Sequence, residues 1–277
     1  MLPLAVAGLL FAMLFAQPAR LLALDWWNDP DAGHGLLLAP LAVWLAWRRG
    51  FVAQARPNVV LGAVLLLGSV LLRYLSGLAA ELFTMRLSMV GATIGLTVFF
   101  CGLRQVVAWW LPFSLLILSI PVPDLIMSSL ALPLQLKASA MGAALLEWRD
   151  VPVRLSGNVI QLPGRQLFVT EACSGLRSLT ALLSLGLLIG GLWLRSPWSR
   201  VLLVAVSLPV AIAVNAVRVF LTGFLVFFVD PALGEGFMHL TEGWLLFIVA
   251  FLILGATSWV IGHIERRMLP KETASNA

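Results

Sequence analysis

The chain has 277 residues, of which 61% are hydrophobic and 11% are charged, and its mean hydropathy is +0.99. Soluble domains are about 45–50% apolar and about 25% charged, so the composition excludes a soluble globular protein and predicts an integral membrane protein. The net charge is +5, but the basic residues are spread over short loops, which argues against nucleic acid as a partner and is typical of topology signals.

Hydropathy predicts an all-α, polytopic transmembrane bundle with about eight spans in a single domain, 1–277. A helix needs roughly 20 apolar residues to cross a bilayer. The predicted spans are 2–22, 35–47, 58–76, 84–103, 106–121, 174–194, 201–228 and 237–261. The first span lacks a basic segment before it, so we do not expect it to be a removable signal peptide.

A ninth apolar stretch, 125–146, is interrupted or flanked by polar residues and proline: Asp124, Pro133, Gln135, Lys137 and Glu147. This pattern favours an amphipathic helix that lies on the membrane surface or re-enters it, over a true span. The lipid bilayer is therefore an expected partner along most of the chain.

The positive-inside rule gives an orientation. With eight spans, one side carries Arg48, Arg49, Arg56, Arg104, Arg195, Arg200, Arg266, Arg267 and Lys271. The opposite loops carry Asp25, Asp29, Asp31, Glu81, Asp124, Asp150, Glu171, Asp230 and Glu235. We therefore expect both termini to be cytoplasmic.

The loop at 149–172 is the longest predicted external stretch. Val151, Val153 and Leu155 alternate with polar or turn residues, and Ser156-Gly157-Asn158 and Pro163-Gly164-Arg165 are turn signals. We expect a small extracytoplasmic β-hairpin element that leads directly into the next span.

That span opens with the most informative motif of the chain, Glu171-Ala172-Cys173-Ser174-Gly175-Leu176-Arg177-Ser178. A cysteine at a helix N-terminus can be favoured as thiolate, and Arg177 would add positive potential. Ser174 and Gly175 would leave the sulfur accessible. The alternative is that Cys173 is a small buried hydrophobic residue.

Two further polar clusters lie at the same predicted membrane depth as Cys173. Arg218, with Asn215 three residues earlier, falls inside the seventh span, where a charge is costly and functional by default. The alternative for Arg218 is a structural ion pair with Glu242 or Glu171. His239 opens the last span, with Glu242 at i+3, and is a candidate acid/base. The alternative for His239 is an interfacial histidine, and its rival as acid/base is His34.

These residues admit other chemistries. Cys173 and His239 could bind a metal, but no His-x-x-x-His or Cys-x-x-Cys spacing supports a metal site. Arg218 could also line a proton or ion path. A thiol, a guanidinium and an imidazole at one membrane face favour nucleophilic transfer without a cofactor.

The cysteine motif, Asn215-Ala216-Val217-Arg218 and His239 resemble the exosortase/archaeosortase transpeptidases. Residues 157–164 and Asp29-Pro30-Asp31-Ala32-Gly33-His34-Gly35 are also similar to that family, and the resemblance runs from about Trp26 to Gly262. Bacterial members have histidine where archaeal members have a second arginine, so His239 makes the chain similar to bacterial members.

The resemblance implies a membrane cysteine protease or transpeptidase in the inner membrane of exopolysaccharide-producing Gram-negative bacteria. It would cleave a C-terminal sorting signal, which has a Pro-Glu-Pro motif, a transmembrane helix and a basic tail, at the periplasmic face. It implies catalytic Cys173, Arg218 and His239. Some members carry an additional C-terminal domain; since this chain ends soon after Arg267, we expect any such exopolysaccharide-associated partner to be a separate protein. A transporter and a non-catalytic assembly factor for polysaccharide export are the alternatives.

Overall fold

The computed structural model describes residues 2–29, 31–169, 176–230 and 236–268, and it divides into two compact units, Met1–Pro123 and Asp124–Ala277. Within these ranges the description leaves out the side chains of residues 124, 128, 130, 131, 165, 168, 176–178 and 236–243. The protein is a polytopic helical bundle with a small antiparallel sheet, as the sequence predicts. A single domain over 1–277 stays a prediction.

The first unit is entirely helical in its described part. Its helices are α1 (Leu2–Asn28), α2 (Gly35–Arg49), α3 (Val59–Leu78), α4 (Leu82–Cys101), α5 (Leu103–Ala108) and α6 (Trp110–Leu118). Glycines let α3 and α4 approach closely, as is usual between membrane helices. A Cβ on Gly62 would lie 2.5 Å from the Phe99 Cα, and one on Gly95 would lie 3.1 Å from Leu66.

The chain changes direction between α4 and α5 at Gly102. Its φ of +91° lies in the region that favours glycine, and a Cβ there would lie 1.8 Å from the carbonyl oxygen of Arg56. After this turn, Trp109 separates α5 from α6. The predicted span 106–121 is therefore two short helices rather than one, because backbone geometry, which hydropathy does not detect, interrupts it.

The second unit contains α7 (Asp124–Trp148), α8 (Leu176–Trp193), α9 (Pro197–Phe228) and α10 (Gly236–Met268). Gly142 faces Ala216 and Val219, whereas four residues later Leu146 faces Gly223, so α7 and α9 run in the same direction. In contrast, Gly186 faces Ser207 and Gly190 faces Arg200, so α8 runs opposite to α9.

The predicted β element is confirmed as three antiparallel strands, β1 (Arg154–Ser156), β2 (Val159–Leu162) and β3 (Arg165–Phe168), in the order β1-β2-β3. Each turn contains a glycine at positive φ, Gly157 at 63° and Gly164 at 77°, which explains why both turn signals were readable from the sequence. Ile160 and Leu162 point into the core of the unit, where they are buried.

Among the residues that the structure describes, six helices are long and apolar enough to cross a membrane: Leu2–Asn28, Val59–Leu78, Leu82–Cys101, Leu125–Trp148, Pro197–Phe228 and Trp244–Met268. They make the chain a multi-pass membrane protein. The predicted spans at 35–47 and 106–121 correspond to shorter helices, and the predicted span at 174–194 corresponds to the 18-residue α8. The segment 125–146 is one continuous helix packed along α9, so length and composition add it to the candidate spans, and the surface-lying or re-entrant arrangement stays a prediction.

Candidate functional site

The polar residues of α9 lie on or beside its buried stripe. Leu203, Ser207, Ala211, Asn215 and Val219 recur every four residues and are all buried, which is the spacing of one helical face. Asn215 is 4% exposed. Arg218 follows by three residues, so it lies on the adjoining part of the same face and is partly buried.

The sheet contacts α7 and shares a hydrophobic cluster with α9. Ile160, Leu162 and Val169 belong to this buried cluster together with Val219 and with Leu146 of α7. Phe220 and Phe224 pack against the same cluster. The sheet and the C-terminal half of α9, the helix that carries Arg218, therefore contribute to one hydrophobic core.

Val169 connects this packing to the cysteine motif. Its backbone N–H donates to the carbonyl oxygen of Asn158 at 2.9 Å, and the Asn158 side-chain amide donates to the Val169 carbonyl oxygen at 3.2 Å. Val169 is 1% exposed and precedes Cys173 by four residues. The sheet thus anchors one side of the cysteine motif, and α8, from Leu176, continues on the other.

Several predicted site residues lie outside the description. Cys173, Glu171 and Ser174 fall in 170–175, which the structure does not describe. Arg177 lies in the first turn of α8, and His239 and Glu242 lie in the first two turns of α10, but the description does not cover these side chains. The convergence of Cys173, Arg218 and His239 therefore stays a prediction.

His34 is held by the main chain of the first unit. Its Nδ1 lies 3.1 Å from the carbonyl oxygen of Asp31, and its Nε2 lies 3.1 Å from the carbonyl oxygen of Leu118. Nearby, Trp26 Nε1 donates to the Ser119 carbonyl oxygen at 2.7 Å. His34 therefore fastens the turn before α2 to the end of α6, and both ring nitrogens are engaged in that contact.

Arg86 and Arg73, which also lie inside predicted spans, have partners on α1. Arg86 is 3% exposed, and its Nη2 donates to Asp25 Oδ2 at 2.6 Å in an ion pair between α4 and the end of α1. Arg73 of α3 donates to Gln17 of α1 at 3.3 Å. Both arginines carry the same sequence signal as Arg218, since a charge inside an apolar span indicates a buried partner or a function.

A carboxylate beside Arg86 caps α4. Glu81 accepts hydrogen bonds from the backbone N–H groups of Phe83 at 2.9 Å and Thr84 at 2.7 Å, and also one from the Thr84 hydroxyl. Burial raises the pKa of Glu81, but these hydrogen bonds and the charge of Arg86 outweigh burial and hold the pKa below its ordinary value. Glu81 is therefore ionised where it caps the helix.

The other described side chains that could act as a nucleophile or bind a metal do not form a cluster. The thiol of Cys101, at the end of α4, is free and partly buried. Among the residues that the structure describes, no three His, Cys, Asp or Glu side chains are grouped so that they could hold a metal ion.

One comparison with known proteins found a matching protein family. The family model described as "Transmembrane exosortase (Exosortase_EpsH)" matches residues 26–256, which include the cysteine motif, Asn215, Arg218 and His239. Comparison with curated proteins and with solved structures found no match.

Proposed function

Because this chain belongs to the transmembrane exosortase family, we propose that it is a membrane-embedded cysteine transpeptidase or protease. Its substrates would be membrane-anchored proteins with a C-terminal sorting signal, which consists of a Pro-Glu-Pro motif, one transmembrane helix and a basic tail. The nucleophile would be Cys173, assisted by Arg218 and His239, and the reaction would need no cofactor.

The observation that supports this proposal is the hydrophobic cluster that the sheet shares with α7 and α9. Val169, four residues before Cys173, shares a buried cluster with Val219, the residue after Arg218. Four extended residues span at most about 14 Å, so chain connectivity limits how far Cys173 can lie from Val169. The shared cluster therefore supports the proposed proximity of the Cys173 thiol and the Arg218 guanidinium.

The proposed reaction has two steps. The Cys173 thiolate attacks the carbonyl carbon of the scissile peptide, and Arg218 stabilises the negative charge that develops on the carbonyl oxygen. The carbon–nitrogen bond then breaks, and the protonated imidazole of His239 gives its proton to the leaving amine. The thioester is resolved by water or by an acceptor amine, which takes the acyl group and releases the Cys173 thiol.

The assignment of the acid/base to His239 rather than His34 rests on the contacts of His34. Both ring nitrogens of His34 lie 3.1 Å from backbone carbonyl oxygens, which gives this ring a structural role in holding the turn before α2. His239 lies in the first turn of α10. We further propose the bacterial inner membrane as the location, with the site at the periplasmic face and the C-terminus in the cytoplasm; both termini are cytoplasmic if α7 does not cross the membrane.

The test is mass spectrometry of Cys173 after incubation of the membrane-embedded protein with a substrate that carries the sorting signal. We expect a substrate-derived thioester on Cys173 that hydroxylamine removes. Cys173→Ala should abolish cleavage, whereas Cys101→Ala, which removes the other thiol of the chain, should retain it.

Cleavage at the wild-type rate by Cys173→Ala would overturn the assignment of the nucleophile. Intact substrate and unmodified Cys173 in a correctly inserted protein would instead favour a transporter or a non-catalytic assembly factor in polysaccharide export.

A further inference from the structure

A polar cavity of about 670 Å³ lies in the first unit where α2, α3, α4 and α5 meet. Its lining consists of Ala53, Gln54, Arg56, Asn58, Leu103 and Arg104. Both arginines are exposed, and neither forms an ion pair or a hydrogen bond with another residue that the structure describes. Two guanidinium groups therefore share one cavity with no protein carboxylate to neutralise them.

Acidic residues are far from this cavity. Within residues 1–123 the acids are Asp25, Asp29, Asp31 and Glu81. Glu81 caps the start of α4, and Asp25 pairs with Arg86 near that same end. Arg104 follows the other end of α4, roughly 30 Å away along a 20-residue helix. The cavity is consequently the positive end of a unit whose negative charges lie at the opposite end.

The walls of the cavity are fixed by buried contacts. Gln105 is 0% exposed; its side-chain oxygen accepts from the Val52 N–H at 2.8 Å, and its amide donates to the Gly50 carbonyl oxygen at 3.1 Å. The Asn58 N–H donates to the Val98 carbonyl oxygen at 3.1 Å. These bonds attach the connection between α2 and α3 to the α4–α5 junction, so Arg56 and Arg104 are presented from a preformed frame.

Aromatic residues around the cavity place it at the depth of lipid headgroups. Trp47 and Phe51 are 80% and 75% exposed, and Arg48 lies 5.3 Å from the ring centroid of Trp44. Exposed tryptophans at helix ends are typical of the membrane–water interface. A ligand in this cavity would therefore have its polar part at the interface and any acyl chains along the apolar helices.

We infer that this cavity binds the phosphate headgroup of an anionic phospholipid, such as a phosphatidylglycerol. Guanidinium forks match phosphate oxygens with paired hydrogen bonds, and Gln54 and Asn58 offer amides for the polar groups attached to the phosphate. This inference does not depend on the cysteine chemistry proposed above, because none of the lining residues belongs to that site.

The test measures the binding of short-chain lipids to the full-length protein in detergent. The readout is the increase in the thermal unfolding temperature of the protein as the lipid concentration rises. The probes are dihexanoyl phosphatidylglycerol, dihexanoyl phosphatidylcholine and glycerol phosphate. We expect phosphatidylglycerol to bind most tightly, and Arg56→Gln/Arg104→Gln to weaken its binding about 30-fold, since each surface arginine contributes roughly a factor of five to the attraction of anionic lipid.

The matched control is Arg266→Gln/Arg267→Gln, which removes the same charge from two exposed arginines at the end of α10. This control should retain wild-type affinity. The double lysine variant, Arg56→Lys/Arg104→Lys, keeps the charge but loses the planar guanidinium, so we expect it to bind phosphatidylglycerol with intermediate affinity. If the double glutamine variant does not fold, the double lysine variant still tests the site.

Equal weakening by the control and by Arg56→Gln/Arg104→Gln would show attraction by overall charge only and would overturn the site. Binding of glycerol phosphate as tight as that of phosphatidylglycerol would assign the cavity to a free phosphate compound and overturn the lipid as occupant.

Discussion

The arginines within apolar helices include Arg73, Arg86 and Arg218. Arg86 is almost completely buried and forms an ion pair with Asp25. Arg73 donates to the uncharged Gln17, and Arg218 lies beside a buried asparagine. An ion pair neutralises its arginine, so it is the arrangement expected of a structural role. For Arg218, the alternative ion pair with Glu242 or Glu171 involves side chains outside the described residues, so its part in stabilising a developing charge stays a proposal.

Breaking the structural pair should destabilise the first unit. Asp25→Asn leaves the charge of Arg86 buried without its carboxylate. Loss of one partner of a fully buried pair typically costs about 3–5 kcal/mol; since Asp25 is 39% exposed, solvent screening lowers the expected loss to about 2 kcal/mol. Thermal or detergent-induced unfolding would measure this loss.

The double variant Asp25→Asn/Arg86→Met supplies the control, because it removes both charges and should recover part of the lost stability. Equal or greater destabilisation in the double variant would show that the two side chains act independently and that the ion pair has no such role.

The substitution Arg218→Lys tests the proposed catalytic role of Arg218. Lysine keeps the positive charge but cannot form the paired hydrogen bonds of a guanidinium. Loss of a donor to a developing oxyanion typically slows a reaction about 100- to 1,000-fold, and we expect a loss of that size in the rate of substrate cleavage. Arg73→Lys, the same change at another arginine within an apolar helix, should cleave at the wild-type rate; a similar loss there would indicate a general effect on folding.

The residue types at the site could be read from the sequence, but their distances could not. The charge inside an apolar span identified Arg218, and the adjacency of Asn215 followed from helical spacing alone. The partner of Arg86 could not be found in this way, because Asp25 and Arg86 are separated by 61 residues and meet only when α1 packs on α4. Likewise, nothing in the sequence indicated that both ring nitrogens of His34 would lie close to backbone carbonyl oxygens.

At the scale of elements, the strands were predictable where local chemistry sets the backbone. Two glycine-containing turns define the sheet, and alternation in the second strand places Ile160 and Leu162 inside. The break between α4 and α5 was not predictable, because it depends on the approach of Gly102 to the Arg56 carbonyl, a contact between residues far apart in the sequence.

Gly102→Ala should therefore be much more harmful than Gly50→Ala. Both glycines have positive φ, 91° and 66°, so alanine is strained at either position. A Cβ at Gly50 meets nothing within 4 Å, whereas one at Gly102 overlaps the Arg56 carbonyl oxygen. Forced overlap in a packed region costs about 1–3 kcal/mol, and we expect Gly102→Ala to be less stable than Gly50→Ala by that amount in thermal unfolding. Equal loss of stability in the two variants would show that the conformation alone, and not the contact, requires glycine.

At the scale of the whole molecule, α7 decides the number of crossings. Hydropathy favoured a surface position for this segment because its polar residues reduce its mean hydropathy. The described helix instead packs in parallel along α9, and its C-terminal turns contact the cluster beneath the sheet. This packing buries Gln135, which is 6% exposed. A crossing α7 changes the number of spans from eight to nine, and an odd number places the two termini on opposite sides.

Cysteine labelling can distinguish these topologies. In a background of Cys101→Ala and Cys173→Ala, single cysteines are placed at Asp124, Ser156 and Met268 and treated with a membrane-impermeant maleimide in intact and in permeabilised cells. Since α7 has 25 residues and spans roughly 37 Å, and since the sheet packs against its C-terminal turns, we expect Asp124→Cys and Ser156→Cys to react from opposite sides.

Met268→Cys should react from the same side as Asp124→Cys. The backbone N–H groups of Arg195 and Ser196 donate to Glu265 of α10, so the end of α10 lies beside the start of α9, and α7 runs parallel to α9. Reaction of Asp124→Cys together with Ser156→Cys would instead establish the surface-lying helix that hydropathy predicts, and with it an eight-span protein that has both termini in the cytoplasm. Because the proposed substrate signal keeps its basic tail in the cytoplasm, Ser156→Cys should be accessible from the periplasm in either topology; protection of Ser156 in intact cells would contradict the periplasmic placement of the site.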